Sequence, residues 1–551
     1  MLDNSVSTAA RVLPVDIRRF PWTSRLASDY VYAFDALQPF YSGNPADAAA
    51  WRGAIVRAQQ HPRQRERVAA ILEAQQRRRG APPDALAASA SLADPRTVAV
   101  VTGQQAGLFG GPLFTLLKAL TAIRQARRIR TEHGVPAVAI FWVHGEDHDW
   151  DEIKGCRVLD ADSAPRDTEI SRADAADGPS AGPIAKVTLD ASVERAVAAL
   201  EQALLPTEFT AGVLASLRAH YAPGIGMADA FARWIEALLG QHGLIVFDGS
   251  DAAAKPLAAD LFAREIERGD AARLAGEASR RLESAGYHAQ VAVTEASRAL
   301  FDLTSGREPI REDGDTLTAG VRRETAAAMA ARARTAPHEF SPNVLLRPVT
   351  QDTLFPTVCY VGGPAEVAYY GQLRGVYEAF GVPMPLVMPR ATATVVDANA
   401  FRFLTKYELP LESLSAQDEA TLNTLLASQL PPSVEAAVDE ARRALDATMT
   451  AVAGELPRVD PTLEGAARST LARMQDDLTK LQAKVIQAAK RKNETLRRQF
   501  THAQAQTFPG GKPQERALGL IYFLNKYGPS FVERMVDDMP ADMGTHAVIA
   551  L

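Results

Sequence analysis

Short apolar runs that stop abruptly at glycine and polar residues are the strongest pattern in the chain. Val98-Ala-Val-Val101 leads into Thr102-Gly-Gln-Gln-Ala-Gly-Leu-Phe-Gly-Gly111. Ala137-Val-Ala-Ile-Phe-Trp-Val143 leads into His144-Gly-Glu-Asp-His-Asp149. Continuous runs this short and rich in β-formers predict strands covered on both faces. Residues 113–131 between them read as one helix, with Gly134 and Pro136 as its stop signals. Strand, helix and strand make a βαβ unit, whose crossover is right-handed and whose strands are parallel. Both strand ends then fall on the sheet edge where open α/β proteins bind ligands, so 102–111 and 144–149 are expected to line one crevice.

Around this unit, residues 1–95 read as helical, with 46–59 and 64–79 separated by His61-Pro62. Three further buried strands are expected at 243–248, 356–361 and 382–388. Gly362-Gly363-Pro364 follows the second of these and opens a helix over 365–380. The connections on either side of the 243–248 strand run to roughly a hundred residues, far beyond an ordinary loop. They read as insertions of about 155–240 and 252–340 into one α/β domain spanning 1–400. Within them, 161–182 has a surface-loop composition and 286–304 alternates like an antiparallel strand.

The pattern changes over 410–508. Val434, Val438, Ala441, Leu445, Met449, Val452 and Leu456 form a stripe at helical spacing, closed by Pro457 and Pro461. A second helix carries Leu471, Met474, Leu478, Leu481, Val485 and Ala488, spaced three and four apart as in a heptad seam. The two form a helical hairpin whose seam packs inward, against a second copy, or both. Residues 509–551 are expected to return to the core.

Composition narrows the function. The 551 residues carry a net charge of −6, which argues against nucleic acid as the main partner. The two cysteines, Cys156 and Cys359, are in no metal or redox spacing, which suits a reducing compartment. The start of the chain has no basic-then-apolar segment, and no apolar run reaches the ~20 residues of a membrane span. A cytoplasmic location without membrane contact is expected.

Four segments could carry chemistry. His144, Glu146, Asp147 and His148 put imidazoles and carboxylates at a strand end, as a general base with its orienting partner. The same cluster could hold a divalent ion through His144, Glu146 and His148, as in a metal-dependent hydrolase, or simply cap the next helix. Gln104, Gln105 and Gly107 lie in a glycine-rich turn before a helix, a place that favours an anion. Arg347, Gln351 and Asp352 are polar groups among apolar residues, close in sequence to Gly362, Gly363 and Glu366; an Arg347–Asp352 ion pair is the structural alternative. Gly510, Gly511, Lys512 and Arg516 suit a phosphate at a helix start, or a turn that ends the hairpin.

Taken together these motifs resemble the BshC family of bacillithiol biosynthesis. The matching stretches are Val101-Thr-Gly-Gln-Gln-Ala-Gly107, Phe141-Trp-Val-His-Gly-Glu-Asp-His-Asp149, Leu345-Leu-Arg-Pro-Val-Thr-Gln-Asp-Thr353 with Tyr360-Val-Gly-Gly-Pro-Ala-Glu366, and Pro509-Gly-Gly-Lys-Pro-Gln-Glu-Arg516. They follow the family's order and span the chain from about residue 95 onward. The resemblance implies a Rossmann-like core with connecting insertions, similar to class I aminoacyl-tRNA synthetases, and a coiled-coil hairpin that forms a homodimer. It implies a ligase that joins the carboxyl of L-cysteine to the amine of glucosaminyl-malate. Such a bond needs an activated carboxyl, so ATP, leaving as ADP or AMP, is the expected cofactor. The first glycine turn carries Gln-Gln-Ala-Gly where class I synthetases have His-x-Gly-His. A non-catalytic scaffold built on the coiled coil is the remaining alternative.

Overall fold

A computed structural model describes residues 11–172, 182–294, 296–428, 432–492, 494–540 and 542–551. The core is a parallel sheet of β1 (Val98–Gln104), β2 (Ala137–Val143), β3 (Leu244–Asp248), β4 (Thr357–Gly362) and β5 (Leu386–Pro389). Its spatial order is β5-β4-β1-β2-β3, and every neighbouring pair is parallel. The chain moves outward from β1 to β3, then returns to the other side of β1 for β4. The order therefore reverses between β1 and β4, which opens a crevice at their carboxyl ends.

Alternation along each strand fills both faces. Val98, Val100, Ala139 and Phe141 enter one apolar cluster, while Ala99, Val101, Ile140 and Trp142 enter another. β2 is buried at every position because helices cover both sides, which is why its sequence is uninterrupted apolar. The expected crossover helix is Leu113–His133, ended by Gly134 in the left-handed region.

Several local expectations change. Residues 1–95 are not all helical: Arg11–Asp16 is a strand at the edge of a three-stranded sheet with Thr545–Ala550 and Thr392–Val396. Pro14 would break a helix, whereas an edge strand tolerates it. The surface loop expected over 161–182 contains the strand Pro165–Glu169, paired antiparallel with Gly155–Leu159, and 173–181 lie outside the described residues. Alternation over 286–304 becomes a strand only at Ser297–Asp302, within a five-stranded antiparallel sheet. The helix expected over 365–380 is two, Pro364–Tyr370 and Arg374–Phe380.

The chain divides into two compact units. Residues 1–395, 514–549 and 551 form the first; 396–513 and 550 form the second. In the second, Pro432–Glu455 and Glu464–Lys492 pack side by side, followed by Glu494–Thr507. Leu445, Met449, Leu471, Leu478 and Val485 are half-buried along the hairpin, but Val452, Met474 and Leu481 are 44%, 40% and 53% exposed. The Val434 side chain lies outside the described residues.

Candidate active site

A cavity of about 670 Å³ opens at the carboxyl ends of β1, β2 and β4 in the first unit. The ends of β1 and β2 thus share one crevice, as parallel pairing requires. Gln104, Gln105, His144, Glu146, Asp147, Arg347, Gly363, Glu366 and Arg516 line it.

At the end of β1, the Gln104 side chain accepts a hydrogen bond from Lys118 Nζ at 2.9 Å, and the Gly103 carbonyl accepts another at 2.9 Å. Lys118 stands on the crossover helix and also pairs with Glu366. Burial lowers the Lys118 ammonium, and the Glu366 carboxylate opposes that shift. Burial also pushes Glu366 upward, but Lys118, Tyr360 and the Gly363 amide outweigh it and hold the carboxyl below its ordinary value. Glu366 takes the Tyr360 hydroxyl at 2.5 Å and the Gly363 N–H at 2.8 Å. This buried cation–carboxylate bridge ties β1, β4 and the crossover helix together across the crevice. Gln105 Nε2 donates to Asp147 at 2.7 Å and so links the two motif turns.

At the end of β2, His144 Nε2 is buried with no hydrogen-bond partner among the described residues. Burial holds its imidazole well below the ordinary value, and the positive charges of Arg347 and Lys118 add to the effect. His144 is therefore neutral at physiological pH. Glu146 makes a buried ion pair with Lys255, which also donates to the Phe340 carbonyl at 3.1 Å. Burial raises the Glu146 carboxyl, and Lys255 counters it. His148 points away to the surface, where its Nδ1 is 3.0 Å from Arg307 Nη1. His144, Glu146 and His148 thus have separate surroundings, and among the described residues no group of three such side chains is arranged to hold a metal ion.

Arg347 opens the helix Arg347–Leu354 and donates to the Tyr369 hydroxyl at 2.7 Å and to Gln351 at 3.2 Å. No Arg347–Asp352 ion pair forms. Asp352 instead accepts from Tyr377 at 2.5 Å and from Gln351 at 2.9 Å, away from the cavity wall. Burial pushes its carboxyl up to about 6. Gln351 and Asp352, expected to touch substrate, therefore brace Arg347 from behind. Gly107 and Gly362 also do not line the cavity. A Cβ at Gly107 would lie 2.9 Å from Gly111 Cα, so this glycine permits a close backbone approach. The Gly362 carbonyl accepts from the Arg390 amide at 2.8 Å.

The expectation that Gly510, Gly511 and Lys512 stand at a helix start is corrected. Pro509–Gly511 is a single 3-10 turn, and the next helices are Gln514–Ala517 and Leu520–Tyr527. The Gly511 amide bonds the Phe508 carbonyl at 3.0 Å, within the turn. Lys512 is exposed and belongs to the second unit. Arg516, in the first unit, stands 5.9 Å from the Phe114 ring, and Arg390 lies 5.6 Å from the same ring.

Sequence reasoning missed Lys118, Lys255, Arg307, Arg390 and Tyr369. Lys118 carried a signal: it is a lone lysine inside the apolar run Leu113–Ile123 of a helix covered on most sides. Arg390, directly after β5, is at a strand end and forms a bidentate ion pair with Glu515 at 2.9 and 2.6 Å. Lys255 and Arg307 come from the second insertion, whose folding onto the sheet edge no local pattern reveals.

The arrangement offers a neutral histidine, a half-buried arginine without a carboxylate partner among the described residues and a fixed lysine–glutamate bridge around one cavity. It can orient an anionic substrate and accept a proton from it or from a second reactant. Residues 13–391 match the family model described as bacillithiol biosynthesis BshC, N-terminal Rossmann-like domain. Residues 393–551 match the BshC C-terminal coiled-coil domain. A Salinibacter ruber protein named "Putative cysteine ligase BshC" is 35% identical over 549 residues, 98% of each chain. The protein of the same name from Koribacter versatilis is 34% identical, over 95% of this chain and 97% of its own. One from Solibacter usitatus is 31% identical, over 96% and 98%. With a Rossmann-like sheet followed by a coiled-coil domain and relatives matched from end to end, the chain belongs to the BshC family of bacillithiol biosynthesis.

Proposed function

We propose that the chain is a cysteine ligase that joins the carboxyl carbon of L-cysteine to the amine of glucosaminyl-malate, forming the amide of bacillithiol. The observation that carries this reading is the neutral His144, its Nε2 without a partner among the described residues, beside Arg347 in a cavity at the sheet's switch point. Arg347 donates to a substrate carboxylate, and the Lys118–Glu366 bridge keeps the wall rigid. An attacking amine must lose a proton as the C–N bond forms, and a neutral imidazole is able to take it.

The carboxyl oxygen of cysteine leaves only once activated, so ATP supplies the phosphoryl or adenylyl group that departs with it. The guanidinium of Arg516, on the cavity wall, is the cation we assign to nucleotide phosphates there; the exposed ammonium of Lys512, in the second unit, is a separate candidate for a phosphate. The chain works in the cytoplasm, where its thiol substrate stays reduced, and forms a homodimer through the coiled coil. No helix among the described residues is long and apolar enough to cross a membrane.

Purified protein incubated with cysteine, glucosaminyl-malate and ATP is expected to yield the condensed thiol, detected by mass, with ADP or AMP in equal amount. Omitting ATP should abolish the product. Absence of the thiol with all three reactants present would refute this reading.

A further inference from the structure

The second insertion places one arginine on the cavity that no motif contains. Arg307 follows Gly306 in the turn between the strands Ser297–Asp302 and Glu308–Asp313. Gly306 has φ +134, a conformation that a side chain there would resist. The guanidinium carbon stands over Phe301, 3.7 Å from the ring centroid, a cation–π contact that anchors it.

Its donors are unevenly used. Nη1 faces His148 Nδ1 at 3.0 Å, whereas Nε is buried with no partner among the described residues. Arg307 has no ion-pair partner among the described residues. The nearest carboxylates are already engaged, Glu146 by Lys255 and Asp147 by Gln105. A partly buried guanidinium with an orphan N–H is costly, and an incoming anion removes the cost.

We propose that Arg307, on the cavity wall, receives a carboxylate of the acceptor substrate, from its malyl group. A guanidinium is a fork of N–H donors that matches the oxygens of a carboxylate. The insertion thereby selects an amine that carries an acid over a plain amino sugar. This assignment rests on the ligase reading for the identity of the acceptor.

Calorimetry tests it without turnover, using glucosaminyl-malate, a methyl glucosaminide, cysteine and ATP as separate ligands. Arg307→Met keeps the stem and removes the charge. It is expected to weaken glucosaminyl-malate about 10- to 100-fold, the range for a charge-assisted bond, and to leave the other three ligands unchanged. Arg307→Lys keeps a charge but not the fork, and should fall between; it carries the test if the methionine variant fails to fold. Equal weakening of the methyl glucosaminide, weakening of ATP alone, or unchanged binding of glucosaminyl-malate would each overturn the assignment. Because binding is read directly, failure of the wild type to make the thiol would sink the ligase reading while this comparison still stands on its own.

Discussion

The ring of His144 occupies the space that a side chain at position 103 would need. A Cβ built on Gly103 would lie 2.7 Å from His144 Nε2 and 2.7 Å from the Trp142 carbonyl. The glycine of the first strand end is thus a packing requirement of the histidine at the second. Gly103→Ala should displace the imidazole and lower turnover at least ~100-fold, as loss of a positioned base does. His144→Ala should lower turnover as far with little change in melting temperature, while Gly103→Ala should lower both, because the carbonyl cannot yield cheaply. Steady-state rates and thermal melts on both variants check this; wild-type turnover in Gly103→Ala would refute it.

Glu146 and Lys255 should behave as a structural pair. Their side chains are 13% and 5% exposed, so removing one strands the other in the interior. Glu146→Ala is expected to cost about 3–5 kcal/mol of stability, the usual effect of breaking a buried pair. The double variant Glu146→Gln with Lys255→Met should recover part of it. Urea unfolding measures the coupling. Loss of activity in Glu146→Ala alone would therefore not identify an acid–base group.

These contrasts show what was legible in the sequence. β1 and β2 were readable because buried parallel strands leave uninterrupted apolar runs, and their shared crevice follows from handedness alone. The Lys118–Glu366 bridge joins residues 248 positions apart and needs the fold to be seen. Gln351 and Asp352 looked like substrate groups because a polar residue amid apolar neighbours reads the same whether it faces a ligand or Tyr377. Arg307 was invisible because its neighbours in sequence form an exposed turn, and only the insertion's path brings it over the sheet edge.

Asp352 should impose a pH dependence on folding. Its folded value of about 6 lies above the ordinary 3.8, so the native state holds the proton more tightly than the unfolded chain. Its stabilising contribution is full below about pH 4 and is lost as pH rises through about 6, a change of order 3 kcal/mol. Asp352→Asn cannot titrate. The stability of the variant relative to the wild type should therefore rise between pH 4 and 6, then level off, in urea titrations. A flat difference across that window would mean that the carboxyl ionises normally.

Lys512 should act through its side chain rather than through a helix start. The Gly511 amide is committed within its turn, which leaves the exposed ammonium as the group free to meet a phosphate. Lys512→Met should weaken ADP and ATP about tenfold in calorimetry, within the range of a charge-assisted bond. Unchanged nucleotide affinity would leave this segment as the turn that ends the hairpin.

The coiled-coil hairpin should hold two chains together. Packing of Pro432–Glu455 on Glu464–Lys492 leaves Met474 and Leu481 at 40% and 53% exposure, while Leu478 is half-buried between them. Their three-and-four spacing continues the seam on the outer face, so one partner helix does not cover the stripe. A second copy of the same surface would cover it with like residues, as a twofold interface requires. Replacing Leu478 and Leu481 with Asp would force unpaired carboxylates into that contact, at several kcal/mol each. Light scattering at micromolar concentration should report a dimer for the wild type and a monomer for the double variant, with unchanged helical circular dichroism. A wild type that is already monomeric would mean that the seam serves only the pairing of its own two helices.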